Sequence, residues 1–225
     1  MKLLIESWRK YLTEDEGQYF PWLDELKANP DRWLRQNSNR IAGTGAFRIT
    51  VSPEGDPDFV VKFAKRERAD QMNKAEKVLG DQFPELFARV YATADDFRWI
   101  VMDKVIPLHG GKRELMEEAM ITTFPELYEY VTNMEERVPD NPFAVFRRIM
   151  KSTQEKGKVY EFGVKNSDWY NQLLKAIHRY AVDPEDLRQG NIGLDMKTHS
   201  LKIIDASVFN TYAGERGQEI RSLGS

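Results

Sequence analysis

The sequence predicts an α+β fold: an antiparallel sheet, then a mainly helical region, with a helical extension in front of both. Three observations predict it. Residues 40–51 and 59–63 mix Gly and Thr with β-branched and aromatic residues, and Ser52-Pro53-Glu54-Gly55-Asp56-Pro57 between them is a strong turn signal, so the pair reads as a hairpin. Residues 111–165 are charged and mostly helical in pattern, punctuated by Pro125, Pro139 and Pro142. A helical stripe of Trp169, Leu173, Ala176, Ile177 and Tyr180 precedes two short apolar runs, Ile192-Gly193-Leu194 and Leu201 to Ile204, joined by the polar turn Asp195 to Ser200.

The elements follow in order. Over residues 3–12, Leu4, Trp8, Tyr11 and Leu12 share one helical stripe and Glu6, Arg9 and Lys10 lie opposite. This is either a helix docked on the body or a leader or partner-binding helix. Further helices fit residues 22–28 and 31–36. After the hairpin, residues 67–79 read as a helix with Met72, Ala75 and Leu79 on one face and Gly80 as its stop. Trp99-Ile100-Val101-Met102 reads as a buried strand, and Lys151 to Lys158 as a loop. Ser167 is placed to cap the next helix, which Asp183-Pro184 ends. The tail from Gly214 is polar. These boundaries divide the chain into an extension (1–39), a sheet-bearing part (40–103) and a mainly helical part (104–225).

Composition narrows the function. A chain of 225 residues is long enough for a full core. Its net charge of −3 carries no basic excess, so no nucleic-acid footprint is expected. The absence of cysteine excludes disulfides and thiolate metal sites. His109, His178 and His199 lack the spacing of a metal motif. The apolar start is too short for a secretory signal, and no stretch reaches the ~20 apolar residues of a membrane span. The expectation is a cytoplasmic protein, in bacterial or host cytosol, with no membrane partner.

The chemistry concentrates in Asp186-Leu187-Arg188-Gln189-Gly190-Asn191, followed by Leu201-Lys202-Ile203-Ile204-Asp205. Magnesium takes hard oxygen ligands, and it commonly uses one or two protein side chains together with phosphate oxygens. Asn191 offers an amide oxygen and Asp205 a carboxylate. Upstream, Lys62 ends the apolar run Phe59-Val60-Val61, and Glu76 lies fourteen residues later on the expected helix. Each of these residues also has a plainer reading, as a polar loop or a solvated charge. It is their order that points to a site.

That order resembles the catalytic loop and metal-binding segment of protein kinases and their relatives. The resemblance spans residues 40–210 and implies a two-lobed protein-kinase-like fold, with a small antiparallel-sheet lobe and a mainly helical lobe. It implies ATP and magnesium between them. Lys62 would hold the α- and β-phosphates and Glu76 would orient Lys62. Asn191 and Asp205 would hold metal, Asp186 would act at the acceptor hydroxyl, and Arg188 would contact the transferring phosphate. Gly43-Thr44-Gly45 resembles the start of a glycine-rich loop, with Arg48 where a third glycine would stand. Met102 would be the gatekeeper of the interlobe hinge, with Asp103 and Val105 offering backbone groups to adenine. The implied activity is phosphate transfer from a nucleotide triphosphate to a protein or small-molecule hydroxyl.

The chain also departs from the pattern. Pro184 stands where the family has His, and Asp205-Ala206-Ser207 lacks the usual Phe-Gly. Only twenty residues follow Asp205, so the expected fold is minimal or the acceptor is not a standard docked peptide. A nucleotide-binding pseudokinase acting as regulator or scaffold stays open, as does an interaction protein without catalysis. Leu4-Ile5-Glu6 resembles a prohead-protease cleavage signal of tailed-phage proteins, which suggests a phage source.

Overall fold

The computed structural model describes residues 20–66, 69–108, 112–125, 168–180, 182, 187 and 189–205. The expected helix over residues 3–12, the loop Lys151 to Lys158, the Ser167 cap and the tail from Gly214 lie outside them. The architecture is α+β, with antiparallel sheets and helices.

Two short helices come first, α1 (Leu23–Ala28) and α2 (Pro30–Gln36). Asn29 ends one and starts the other, since its side chain accepts from the Arg32 N–H at 3.0 Å and Pro30 supplies a preset first turn. The five-stranded sheet follows, built from β1 (Ile41–Thr44), β2 (Arg48–Val51), β3 (Phe59–Ala64), β4 (Val90–Thr93) and β5 (Trp99–Asp103) in the order β1-β2-β3-β5-β4. The expected turn sits between β2 and β3, where Gly55 adopts φ 81°. That left-handed backbone suits a residue without Cβ.

Strand periodicity divides the apolar residues of β3. Phe59, Val61 and Phe63 face a core shared with Phe20, Leu26 and Trp33, so α1 and α2 cover that side. Val60 faces the opposite side with Val90, Ile100 and Met102. Lys62 lies on this second side, against the next helix.

That helix, α3, runs Ala69–Gln82, three residues past the expected end, and Gly80 lies within it. Gly80 is not a stop. A Cβ there would lie 2.9 Å from the Ala88 carbonyl, so the glycine admits the chain that leads into β4. The buried face also differs from the expected one. Asn73 and Glu76 are buried beside Ala75 and Leu79, while Met72 is only half-buried.

From β5 a single residue, Lys104, leads into β6 (Val105–Pro107), which pairs not with the first sheet but with β7 (Ile192–Asp195). β8 (Leu201–Ile203) completes this three-stranded sheet, order β6-β7-β8. Gly193 allows the strands to meet, because a Cβ there would stand 2.4 Å from Val105 Cγ1 and 2.7 Å from the Ile106 carbonyl. Helices α4 (Arg113–Thr123) and α5 (Asp168–Tyr180) pack Met116, Met120, Trp169 and Leu173 into one core with Ile192 and Leu201. Trp169 Nε1 donates to the Leu201 carbonyl at 2.8 Å, so the ring is buried without leaving its N–H unmet. Among the described residues no helix is long and apolar enough to cross a membrane.

Candidate active site

Two strand pairings and one helix build the candidate site. In the β2–β3 ladder Arg48 lies opposite Ala64 and Thr50 opposite Lys62. A side-chain period of two therefore places Arg48 and Lys62 on one face of the sheet, the face that α3 covers. Glu76 projects from α3 between them. Lys62 Nζ donates to both carboxylate oxygens of Glu76, at 3.0 and 2.9 Å. Arg48 Nη1 donates to Glu76 Oε1 at 2.7 Å.

Both cations also reach the end of the second sheet. Lys62 Nζ donates to the Ile204 carbonyl at 2.5 Å, and Arg48 Nη2 donates to Asp205 Oδ1 at 2.5 Å. The Ile204 N–H in turn donates to the Asn191 carbonyl at 3.0 Å, just beyond the Ile192–Ile203 pair of the β7–β8 ladder. Lys62, Glu76, Asn191 and Asp205, far apart in sequence, are thus gathered at one place. Arg48 joins them. Asn73, one turn before Glu76 on α3, accepts from Arg48 Nη1 at 3.4 Å and donates to the Phe97 carbonyl at 2.8 Å.

The cluster contains two cations and two carboxylates, which accounts for their tolerance of burial. The side chains of Glu76, Arg48 and Lys62 are 5%, 7% and 10% exposed, while that of Asp205 is 44% exposed. Burial pushes the Glu76 carboxyl up, but Arg48 and Lys62 more than offset this and hold it below the usual range. Burial lowers the Lys62 ammonium, Glu76 opposes this, and the net direction is down. Burial also acts to lower Arg48, yet Glu76 and Asp205 leave it raised.

Arg48 is the residue that sequence reasoning missed. It stood there only as a substitute for a glycine. The available signal was its position on a strand two residues from Thr50, but its meeting with Lys62 depends on the β2–β3 register, which the sequence does not display.

The other expected site residues are placed as follows. Gly43 lies in β1 and Gly45 just after it; neither has a positive φ, a Cβ at Gly43 would meet nothing within 4 Å, and one at Gly45 only the Arg48 carbonyl at 3.8 Å. Packing therefore does not require glycine at either. Met102 is buried in β5. Asp103 donates its N–H to the Arg89 carbonyl at 3.0 Å, and its carboxylate accepts from Lys197 Nζ at 2.7 Å and Tyr91 Oη at 3.1 Å. Lys197 also stands 4.7 Å from the Phe59 ring centroid, so the β7–β8 turn is fastened to the first sheet. Val105 opens β6. Asp186 and Arg188 lie outside the described residues; Val182 and Leu187, on either side of Asp186, are buried.

Among the described residues no three His, Cys, Asp or Glu side chains converge as a metal cage. The donors at hand are the half-exposed Asp205 carboxylate and Asn191, whose backbone carbonyl accepts from the Ile204 N–H next to Asp205. Such a pair of hard oxygen donors fits a magnesium ion that arrives with phosphate oxygens of its own.

No family model matches the chain, and no curated protein matches it. Among solved structures, the streptomycin–ATP–APH(2")-IIa ternary complex is similar over 80% of this chain and 70% of that one, with 14% identity and a TM-score of 0.36. The gentamicin–APH(2")-IIa complex is similar over 79% and 69%, with 13% identity and a TM-score of 0.37. At these values the likeness carries no weight for fold or function, and the functional reading rests on the chain's own residues.

Proposed function

We propose that the chain is an ATP- and magnesium-dependent phosphotransferase with a two-lobed protein-kinase-like fold, acting on a protein or small-molecule hydroxyl. The observation that carries this reading is the Lys62–Glu76 pair bound to the segment that holds Asn191 and Asp205. A lysine clamped by both oxygens of one glutamate is fixed in direction; its third N–H, now donated to the Ile204 carbonyl, is the one it would turn to an α- or β-phosphate. Asp205 and Asn191 would hold the magnesium, which supplies charge neutralisation on the phosphates. Adenine would lie along Asp103 to Val105, beside the passage between the sheets. Because the Asp103 N–H is already donated, its contact would run through the carbonyl. The space above Gly43 and Gly45 suits the close approach of phosphates. Asp186 would orient the acceptor hydroxyl and take its proton, and Arg188 would contact the transferred group.

A thermal-shift titration tests the reading. Mg-ATP at about a hundred times its dissociation constant adds ~2.7 kcal/mol. In a chain of this size, melting should rise by roughly 5–10 °C. No shift with any nucleotide, with or without divalent metal, favours the interaction-protein alternative. The pseudokinase alternative has its own support, since Asp205 already carries a cation, Arg48. Binding of Mg-ATP without hydrolysis or transfer to any acceptor would favour it.

A further inference from the structure

We infer that Arg48 is a resident counter-cation of Asp205 that a divalent metal must displace, so that the Arg48 contact and metal binding compete for the same carboxylate. The inference rests on the proposed phosphotransferase site, in that Asp205 is there a metal ligand. It goes beyond that reading by giving a role to a residue which neither the motif order nor the resemblance supplies.

Geometry carries it. Arg48 is almost wholly buried, yet its guanidinium ends on the most exposed member of the cluster. The two nitrogens are divided, Nη1 to Glu76 and Nη2 to Asp205. The fork is therefore anchored from behind by Glu76, with support from Asn73, and aimed at Asp205. A planar guanidinium held this way has little freedom to move aside. A metal ligated by Asp205 Oδ1 would share that oxygen with Nη2. If it used the other oxygen, it would still stand within a few ångströms of a fixed positive charge in a partly buried place. Either way, Arg48 weakens metal binding at Asp205. The same arrangement supplies the phosphates with a positive charge before any metal arrives. Without Arg48 the cluster would hold one cation and two carboxylates; with it, the cluster is neutral.

The experiment is a manganese titration of the full-length chain, following the electron-paramagnetic-resonance signal of free Mn²⁺, alone and with a saturating non-hydrolysable ATP analogue. Wild type is compared with Arg48→Gln, Arg48→Lys, Asp205→Asn and the double variant Arg48→Gln/Asp205→Asn, each first checked for folding by circular dichroism. Loss of the charge-assisted contact in Arg48→Gln should tighten Mn²⁺ binding by about ten- to hundredfold. Arg48→Lys, which keeps charge but loses the fork, should fall between. The gain should vanish in the double variant. A folded Arg48→Gln with unchanged or weaker Mn²⁺ affinity overturns the inference; if that variant does not fold, Arg48→Lys with wild-type affinity does so. These results leave the phosphotransferase reading standing provided that Asp205→Asn alone abolishes Mn²⁺ binding. If Asp205→Asn changes nothing, Asp205 is no metal ligand, and both readings fall together.

Discussion

Glu76 is the residue on which the cluster depends, because two buried cations share it. Its replacement by Gln keeps size and hydrogen-bonding capacity but leaves Arg48 and Lys62 with one carboxylate, Asp205, that is itself half in water. Removing one partner from a buried charge pair costs about 3–5 kcal/mol. Glu76→Gln should therefore lower stability by that order in denaturant titration at neutral pH. A loss within ~0.5 kcal/mol would mean that the cluster is not buried in solution. The pH dependence has a definite sign. The folded protein holds the Glu76 carboxyl below its ordinary value of 4.5, which the unfolded chain recovers. Its stabilisation is fully present above about 4.5 and is lost as pH falls through the folded value. Wild-type stability should accordingly drop more steeply than that of Glu76→Gln as pH falls below about 4.5.

At the scale of elements, the sequence displayed what local pattern determines. The hairpin around Gly55, the strand at Trp99 and the two strands after Asn191 were legible, because alternation and turn residues act within a few positions. β4 and β6 were not. Val90–Thr93 and Val105–Pro107 are only four and three residues long, and they are strands because of what they pair with. Gly80 misled for a related reason. The glycine near the expected helix end serves a contact with Ala88 from the next segment, a tertiary demand that local pattern cannot carry. The Lys62–Glu76 pairing was implied by the family resemblance, whereas the role of Arg48 was not, since its partners lie 28 and 157 positions away. Glycines at close strand contacts and at open strand positions should also respond differently to substitution. Gly193→Ala forces a Cβ against the Ile106 carbonyl and should cost ~1–3 kcal/mol. Gly43→Ala meets nothing and should stay within ~0.5 kcal/mol, while lowering ATP affinity if phosphates approach there. Equal stability losses in the two variants would contradict this account of Gly193.

For the whole molecule, the question is whether binding and chemistry reside in separable parts. Lys62 and Asp205 join the two sheets at the proposed phosphate site, whereas Asp186 is assigned to the acceptor. Lys62→Ala or Asp205→Ala should weaken Mg-ATP binding measured by calorimetry. Asp186→Asn should bind Mg-ATP as wild type does, yet turn over about 10²–10⁴-fold more slowly in phosphate-transfer and ATP-hydrolysis assays. Full activity in Asp186→Asn would move the base elsewhere, with Asp183 the next candidate.

The single-residue passage at Lys104 has a mechanical consequence. The strands β5 and β6 of the two sheets are joined through that one residue, and β2 lies two strands away from β5, so a turn of one sheet against the other about an axis through Lys104 would move β2 farther than β5. At strand spacings near 5 Å, Arg48 acts on a lever arm of about 10 Å. A turn of roughly 10° about that axis then moves its guanidinium by ~2 Å, enough to carry a hydrogen bond out of range. Lys197 and Asp103, close to the axis, would scarcely separate. The Arg48–Asp205 distance is therefore a fine gauge of the angle between the sheets. A pair of labels placed across it would register opening that labels near Lys104 would not detect.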